Sequence, residues 1–374
     1  MSVKRVMGLE SEYGISQPGV AEADPAFLSS LVVHSYANQI YPNLKIRWDY
    51  DLETPLRDAR GFEASRADAD PSLLTDEVSV VNIILTNGAR FYVDHAHPEY
   101  SSPEVLTPQE AVIWDKAGER IIQQAALLAS RSIGNEIFIH KNNTDNKDVS
   151  YGTHENYLVD RKLPFSKLIE VLTPFFVTRQ IFTGAGRLGV GVGEIEHRFQ
   201  ISQRADFFET LVGLETTMKR PIINTRDEPH ADPNLHRRLH VIIGDANLSE
   251  VATLLKLGTT SLILGMLEDG FIEDFELNLK DPLTSLQKVS QDLTLSSKLP
   301  LKSGKEITAL EMQEYFFNKA VAWVSKNESF DPETKEVLYW WEFVLKGLRG
   351  DIYKLSNCID WIAKLKLMQE VKAR

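Results

Sequence analysis

Two short segments of the sequence place acidic side chains at the spacing of one strand face. In RVMGLESEYG, Glu10 and Glu12 lie two residues apart, so a strand would direct both carboxylates to the same side. A third acid, Glu99, lies near the end of RFYVDHAHPEY. Carboxylate oxygens are the ligands that Mg²⁺ prefers. The three glutamates are therefore candidate metal ligands, and the alternative is that they face water on an outer sheet surface.

The segment RFYVDHAHPEY, residues 90–100, also carries candidate catalytic groups. Asp94 could act as a nucleophile or as a general base, and Tyr92 precedes it on the same strand face. Nearby cations would be needed to keep Asp94 ionised among like charges. The alternative is a turn-forming aspartate that closes the strand. Of His95 and His97, we expect one to point into the core, and neither is predicted to bind a metal.

A third group of residues supplies hydrogen-bonding and positive side chains. In SYGTHENYL, His154 and Asn156 alternate to one face of a predicted strand, and Glu155 to the other. Guanidinium groups match phosphate oxygens, so arginines opposite metal-bound acids would form a polyphosphate clamp. Any single arginine is more often part of a surface ion pair, and it is their density that carries the prediction. Between residues 204 and 240 these cations are Arg204, Arg226, Arg237 and Arg238, followed by His240.

Neither of the common nucleotide-binding loops is predicted. GAGRLG at residues 184–189 satisfies G-x-G-x-x-G, but the preceding EVLTPFFVTRQIFT has the pattern of a helix, whereas the dinucleotide motif follows a strand. The sequence also lacks the phosphate loop G-x-x-x-x-G-K-[ST]. If the protein binds ATP, we expect it to do so on a sheet, through metals and arginines.

Strands must position these residues, and the sequence predicts several in hairpin-like order. VNIILTNG and RFYVDHAH are joined by Asn87-Gly88, a strong hairpin signal. A helix is predicted over 107–131, with Thr107 and Glu110 forming a capping box. Strands interrupted by helices favour an α+β fold built on an antiparallel sheet. Further strands are predicted at residues 4–14, 136–145, 153–160 and 237–247, more sheet is predicted to be bracketed by 199–206 and 220–232, helices are predicted at 26–40 and 165–182, and the chain is predicted to be mainly helical from about 249.

The composition indicates a globular protein without broad affinity for nucleic acid. The chain has 374 residues, of which 43% are hydrophobic and 25% charged, and its net charge is −12. Cys358 is the only cysteine, which excludes a disulfide within the chain and fits a cytoplasmic location. Residues 251–267 are strongly apolar but contain Lys256 and a Gly-Thr-Thr interruption, so we expect a buried helix and no membrane partner.

The longer motifs resemble the Pup ligase–depupylase family, where Pup is the prokaryotic ubiquitin-like protein. This family belongs to the glutamine synthetase-like carboxylate–amine ligase superfamily. The resemblance implies a curved antiparallel sheet cradle packed with helices, in one catalytic domain over 1–374 that is sheet-rich over 1–248 and mainly helical over 249–374. The matching segments run through almost the whole chain and include MGLESEYGIS, RWDYDLETPLRDARGF, NGARFYVDHAHPEYSSPE, SYGTHENYL, RPIINTRDEPHAD and RRLHVIIGDANLSE.

The resemblance also implies cofactors and residue roles. Glu10, Glu12 and Glu99 would coordinate Mg²⁺ under the phosphates of ATP. Asp94 matches the family's catalytic aspartate and Tyr92 its neighbour. The remaining roles are transition-state or phosphate contacts for Arg204 and Arg226, and cofactor binding for His154, Arg226, Arg238 and His240.

The depupylase branch is favoured over the ligase branch. RWDYDLETPLRDARGF, within residues 47–77, resembles a loop that depupylases carry near the active site and ligases lack. The implied activity is hydrolysis of the isopeptide bond between Pup and a substrate lysine, together with deamidation of a C-terminal glutamine of Pup. Pup and pupylated proteins would be the partners, with a functional link to the bacterial proteasome.

Three questions stay open from the sequence. A Pup–protein ligase and a catalytically silent Pup-binding protein are the alternative functions. The nucleophile is Asp94, or a water or phosphate that Asp94 orients. Relatives usually continue into a small C-terminal domain, so that domain is expected to be absent or truncated in a chain that stops at KLKLMQEVKAR.

Overall fold

The protein combines one large sheet with eight helices in the part of the chain that the structure describes. This computed structural model describes residues 2–20, 23–40, 59–60, 82–144, 150–190, 197–228, 230–326 and 330–373. The strands are β1 (Met7–Glu12), β2 (Gly14–Ser16), β3 (Asn82–Ile84), β4 (Arg90–Asp94), β5 (His97–Ser101), β6 (Phe138–His140), β7 (Thr153–Asp160), β8 (Arg187–Val190), β9 (His197–Gln200), β10 (Phe208–Gly213), β11 (Arg220–Asn224), β12 (His236–Val241), β13 (Lys298–Pro300) and β14 (Glu306–Thr308). The helices are α1 (Pro25–Ile40), α2 (Pro108–Ile133), α3 (Phe165–Thr183), α4 (Glu250–Glu268), α5 (Pro282–Gln291), α6 (Ala309–Val324), α7 (Pro332–Arg349) and α8 (Asp360–Lys372).

The main sheet has six strands in the order β12-β7-β1-β5-β4-β3. Every neighbouring pair in it is antiparallel. The predicted hairpin is confirmed, because β3 and β4 pair across a turn in which Gly88 has φ 85°. The α+β fold on an antiparallel sheet is therefore confirmed, whereas the strand predicted at 4–14 divides into β1 and β2.

The two faces of this sheet have opposite character. One face packs on the main hydrophobic core through alternate residues of its central strands, such as Leu9, Tyr157 and Leu239. A second core cluster, which includes Phe91 and Tyr100, lies under β4 and β5. Side chains alternate along a strand, so the residues between these apolar ones face the other way. That second face carries the predicted chemistry.

The helices that support the sheet begin where the sequence predicts. Thr107 and Glu110 form the capping box at the start of α2, each side chain bonding the other's backbone N–H. The helix α3 ends at Thr183, and the GAGRLG segment then leads into β8. Because a helix precedes GAGRLG, the rejection of a dinucleotide-binding motif is confirmed.

The chain after β12 is mainly helical, with one small hairpin of β13 and β14. The helix α4 is long and apolar enough to cross a membrane, but 89% of its apolar window is buried inside the protein. It is therefore the central core helix, as expected for residues 251–267. The assignment of the whole chain to one catalytic domain stays a prediction.

Candidate active site

The pairing register brings the predicted site residues onto one face of the main sheet. Opposite residues of antiparallel strands point to the same side, so the register itself defines rows of neighbours. In the first row Glu12 pairs with Glu99, which pairs with Tyr92. The next rows pair Glu10 with His154 and Asn156 with His240. Asp94 and Arg238 extend the same face at the end of β4 and within β12.

The first group of possible metal ligands is formed by Glu12, Asp94 and Glu99. One carboxylate oxygen from each lies within 4.8 Å of the others. Burial and the negative charges of Asp94, Glu12 and Glu10 raise the pKa of Glu99 well above its usual value. Glu99 Oε2 is buried and has no hydrogen-bond partner among the described residues. A divalent cation would supply the missing positive partner, so these oxygen donors fit Mg²⁺.

The second group of possible ligands is formed by Glu10, His154 and His240, again within 4.8 Å. His154 Nδ1 lies 3.1 Å from Glu10 Oε2, and Asn156 Nδ2 donates to Glu10 Oε1 at 2.8 Å. The other side of the Asn156 amide, Oδ1, lies 2.9 Å from His240 Nδ1. Carboxylate and carbonyl oxygens only accept, so both histidines carry their proton on Nδ1 in this network. Nε2 is then the nitrogen of each ring that is left for a ligand.

The glycine before β7's first residue keeps room for His154. A methyl group at Gly152 would lie 2.2 Å from His154 Nε2. The backbone N–H of Gly152 also donates to Glu12 Oε2 at 2.6 Å, which connects the two ligand groups. A side chain at position 152 would therefore push the imidazole out of its place between the groups.

The charges of this face keep Glu10 and Asp94 ionised. Burial acts to raise the pKa of Glu10, but the hydrogen bond from His154 and the positive charge of Arg238 hold it well below its usual value. Burial also acts to raise the pKa of Asp94. The hydrogen bond from His95 and the charge of His95 have the larger effect, so the pKa of Asp94 is lowered. An ionised Asp94 beside possible metal ligands is suited to act as nucleophile or base.

The neighbouring side chains of His240 and Tyr92, by contrast, favour their neutral forms. Burial and the positive charge of Arg238 lower the pKa of His240 well below its usual value, so His240 is neutral. Burial and the charges of Glu99 and Glu10 raise the pKa of Tyr92 well above its usual value. Tyr92 therefore keeps its proton and can donate a hydrogen bond on this face.

Two of the predicted arginines border the acids. The positive charge of Arg226 acts on Glu10 and Asp94, and its own pKa is lowered chiefly by burial. Arg226 Nε is buried without a hydrogen-bond partner among the described residues. Arg238 lies 3.5 Å from Glu228 in an ion pair. A polyphosphate clamp formed by these two arginines stays a prediction.

Arg204 is held differently, below the polar face. Its Nη1 donates to the carbonyl of Ile242, and to that of Gly244 at 3.3 Å, while Nε donates to Ser150 Oγ at 3.2 Å. Burial and the nearby charge of Arg220 lower the pKa of Arg204 to about 10. These contacts fix the chain just after β12. A contact of Arg204 with phosphate or a transition state stays a prediction.

The two histidines of RFYVDHAHPEY differ from expectation, since His95 is exposed and His97 is only half-buried. His95 is in the turn after β4, with Nδ1 2.7 Å from Asp94 Oδ1. His97 stacks on Tyr151 with ring centroids 4.3 Å apart. The prediction of a core histidine is wrong because a turn, rather than a continued strand, follows Asp94.

Sequence reasoning missed two residues next to the site. Arg220 Nη2 donates to the Ser150 carbonyl at 2.6 Å, and its charge interacts with Glu12 and Arg204. Gly152 is the other, for the steric reason given above. Neither has a local signal, because each depends on which segment packs against it.

Comparisons with known proteins identify the family and its relatives. The family model described as Pup-ligase protein matches residues 5–374. A protein named depupylase from Acidothermus cellulolyticus is 54% identical over 99% of this chain and 74% of its own length. A Pup deamidase/depupylase from Mycolicibacterium smegmatis is 49% identical over 100% of this chain and 75% of its own length. A Pup–protein ligase from Pseudarthrobacter chlorophenolicus is 41% identical over 78% of this chain and 65% of its own length.

Two solved structures have the same fold. The complex between Pup and its ligase PafA matches with a TM-score of 0.79 and 32% identity, covering 99% of this chain and 69% of that chain. The Pup ligase PafA in complex with ADP matches with a TM-score of 0.71 and 38% identity, covering 78% of this chain and 65% of that chain.

The mixed helices and antiparallel sheet, together with these matches to Pup ligase structures, define a glutamine synthetase-like α+β fold. Within that class, the chain belongs to the Pup ligase family. The segment used to favour the depupylase branch, residues 47–77, lies outside the described residues except for 59 and 60. There the backbone N–H of Ala59 donates to the carbonyl of Thr225 at 2.7 Å, one residue before Arg226.

Proposed function

We propose that this chain is an ATP- and Mg²⁺-dependent amidohydrolase of the Pup system. It hydrolyses the isopeptide bond between Pup and a substrate lysine, and it deamidates a C-terminal glutamine of Pup to glutamate. The observation that carries the proposal is similarity to depupylases, with 54% and 49% identity over 99–100% of this chain and 74–75% of theirs. Similarity to the ligase is lower, at 41%, and covers 78% of the chain.

The sheet face supplies a place for nucleotide and metal in this proposal. Glu10, Glu12 and Glu99 would hold Mg²⁺, with His154 and His240 available beside Glu10. Arg226 and Arg238 meet the phosphates. When bound, Mg²⁺ would supply positive charge at the reacting amide. A relative in complex with ADP supports the nucleotide part of this assignment.

Asp94 is the residue to which the amide carbonyl is delivered. In one route its carboxylate attacks the carbonyl carbon, the lysine amine or ammonia leaves with a proton, and water then cleaves the acyl anhydride. In the other route Asp94 orients or deprotonates a water or phosphate that attacks instead. Tyr92, which keeps its proton, donates a hydrogen bond on the same face in either route.

The partners follow from the same proposal. Pup and pupylated proteins are the substrates, and a relative in complex with Pup supports this assignment. Removal of Pup would spare or recycle proteins otherwise directed to the bacterial proteasome, and the enzyme would act in the cytoplasm.

The test is a paired incubation with Mg·ATP, read by intact mass. One reaction contains a Pup-conjugated protein and the other contains Pup ending in glutamine. We expect free Pup in the first reaction and a gain of about one dalton in the second, because hydrolysis replaces the NH₂ group of the glutamine amide by OH. Asp94→Asn removes the charged carboxylate and should lower both rates by about 10³-fold or more.

Other outcomes point to the alternative functions. Attachment of Pup ending in glutamate to added protein lysines, with ATP consumed in proportion, would replace the hydrolase by a ligase. Pup binding without either reaction would indicate a silent Pup-binding protein. Equal rates for wild type and Asp94→Asn would contradict the role of Asp94 while leaving the hydrolase in place.

A further inference from the structure

The hairpin between β4 and β5 turns through two residues that are not glycine. Asp94 pairs with His97, so His95 and Ala96 form a two-residue loop. Their φ angles are 43° and 71°. Such a turn normally carries Asn-Gly, because positive φ strains an L-residue with a Cβ by about 1–2 kcal/mol. Backbone strain retained beside a candidate active site suggests that a side chain of the turn has a task.

The histidine of this turn contacts the candidate catalytic aspartate directly. His95 Nδ1 lies 2.7 Å from Asp94 Oδ1. Because a carboxylate only accepts, Nδ1 donates its proton in this hydrogen bond. Side-chain exposure is 34% for His95 and 38% for Asp94, so the pair lies at the open side of the site. The bond fixes the carboxylate plane and leaves Oδ2 outside this contact.

Neighbouring elements hold the turn in place. Ser29 Oγ of α1 donates to the carbonyl of Ala96 at 2.8 Å. The backbone N–H of Tyr13 donates to the carbonyl of Pro98 at 3.1 Å. On the site face, His97 is stacked on Tyr151. The left-handed backbone at His95 is therefore over-determined, and it presents the imidazole to Asp94 in one fixed direction.

We propose that His95 is a positioning residue for the amide-hydrolysis reaction, which orients the Asp94 carboxylate through its Nδ1–H. The inference rests on the proposed function and adds to it a residue outside both groups of possible metal ligands. His95 transfers no proton in this role. Its effect is to hold Asp94 Oδ2 toward the reacting carbonyl or toward the water or phosphate that attacks it.

The experiment separates the hydrogen bond from the turn. In His95→Gly the left-handed conformation becomes unstrained but the donor is lost. In His95→Asn the new residue still tolerates the left-handed conformation. Its Nδ2 donor is separated from Cα by the same number of bonds as histidine Nδ1. Both variants are assayed for kcat and KM on Pup-conjugated protein with Mg·ATP. Thermal unfolding and nucleotide affinity are measured in parallel.

The expected result is a split between the two variants. His95→Gly should lower kcat by about 10- to 100-fold, with KM and nucleotide affinity unchanged, because only the orientation of the reacting group is lost. His95→Asn should stay within about threefold of wild type. Melting temperatures should not fall in either variant, since both relieve the turn.

Two outcomes overturn the proposal, and they are distinguishable. If wild type and His95→Gly cleave equally well, His95 does not position Asp94 and the proposed function stands. If His95→Asn loses activity as His95→Gly does, a donor at this position is not what matters. Absence of cleavage by wild type itself would remove the proposed function, and this inference with it.

Discussion

Two polar layers lie on opposite faces of the strand β7 and differ in how their charges are met. His154 and Asn156 point to the site face, whereas Glu155 points the other way and is fully buried. Arg179 Nη1 and Nη2 donate to the two oxygens of Glu155 at 2.8 and 2.5 Å. Tyr157 adds a hydroxyl donor to Glu155 at 2.7 Å, and Arg179 also reaches Thr260 at 2.7 Å. The protein itself therefore supplies charged and hydrogen-bonding partners for Glu155 in this lower layer.

The site face contrasts with this lower layer. It brings Glu10, Glu12, Asp94 and Glu99 together, and Glu99 Oε2 lacks a hydrogen-bond partner among the described residues. Burial and the negative charges of Asp94, Glu12 and Glu10 raise the pKa of Glu99, so the ionised form of Glu99 is disfavoured without an added cation. We infer that the lower layer, with its charges paired, holds β7 in place, and that the site face is completed only when cations bind to it. Stability and function are thus divided between two faces of one strand.

The largest effect is expected from breaking the lower layer. Arg179→Met removes one partner and leaves the Glu155 charge buried, which should destabilise the protein by about 3–5 kcal/mol. Urea unfolding of the metal-free protein measures this directly. The double variant Glu155→Gln with Arg179→Met removes both charges and should recover much of the loss.

The control for this test is Arg131→Met, at an exposed position in the last turn of α2. It should change the free energy of unfolding by no more than about 0.5 kcal/mol. If Arg179→Met were equally mild, the lower layer would not be the stabilising one, and the contrast between the two faces would fail.

A second prediction concerns Lys256, which donates to the backbone carbonyl of Asp245 next to the same layer. Burial, despite the attraction of Glu155, lowers the pKa of Lys256 from 10.5 to about 8. Between pH 8 and pH 10.5 the unfolded chain binds more protons than the folded one, so stability rises with pH in that window. Relative to Lys256→Met, wild type should gain about 3 kcal/mol across it.

The measurement is urea unfolding of both proteins at several pH values from 7 to 11. The difference between them isolates Lys256 from tyrosines and other groups that titrate at alkaline pH. A difference that stays constant with pH would mean that Lys256 is charged at no cost, and that the lower layer is less closed than its contacts indicate.

Much of the site face was predictable because it follows from strand alternation. The spacing of Glu10 and Glu12, and the opposite direction of Glu155 between His154 and Asn156, are direct consequences of a period of two. The N-terminus of α2 was predictable for a similar reason, since its cap is a local pattern. Sheet register then assembles these residues, and the fold class was inferred from hairpin order.

The rest depended on contacts between distant segments. Arg179 was not predicted as the partner of Glu155, since the pairing joins residues 24 positions apart through helix–sheet packing. The contacts of Arg204 with the backbone after β12 were missed for the same reason. His95 was expected in a strand, because a left-handed His-Ala turn has none of the usual Asn or Gly signals.

The smallest effect is expected from neutralising the unsatisfied group. Glu99→Gln removes a buried carboxylate that repels Asp94 and Glu12, so the metal-free protein should not lose stability. Wild type should gain about 1.4 kcal/mol when Mg²⁺ is added at ten times its Kd, and Glu99→Gln should lose that gain. The exposed Glu136→Gln serves as the matched control and should keep it. Thermal unfolding with Mg²⁺ and with a chelator measures both. The opposite result would be a Glu99→Gln protein that is less stable without metal and is still stabilised by Mg²⁺. Glu99 would then have its hydrogen-bond and charge partners within the fold, as Glu155 does, and the contrast between the two faces of β7 would be wrong.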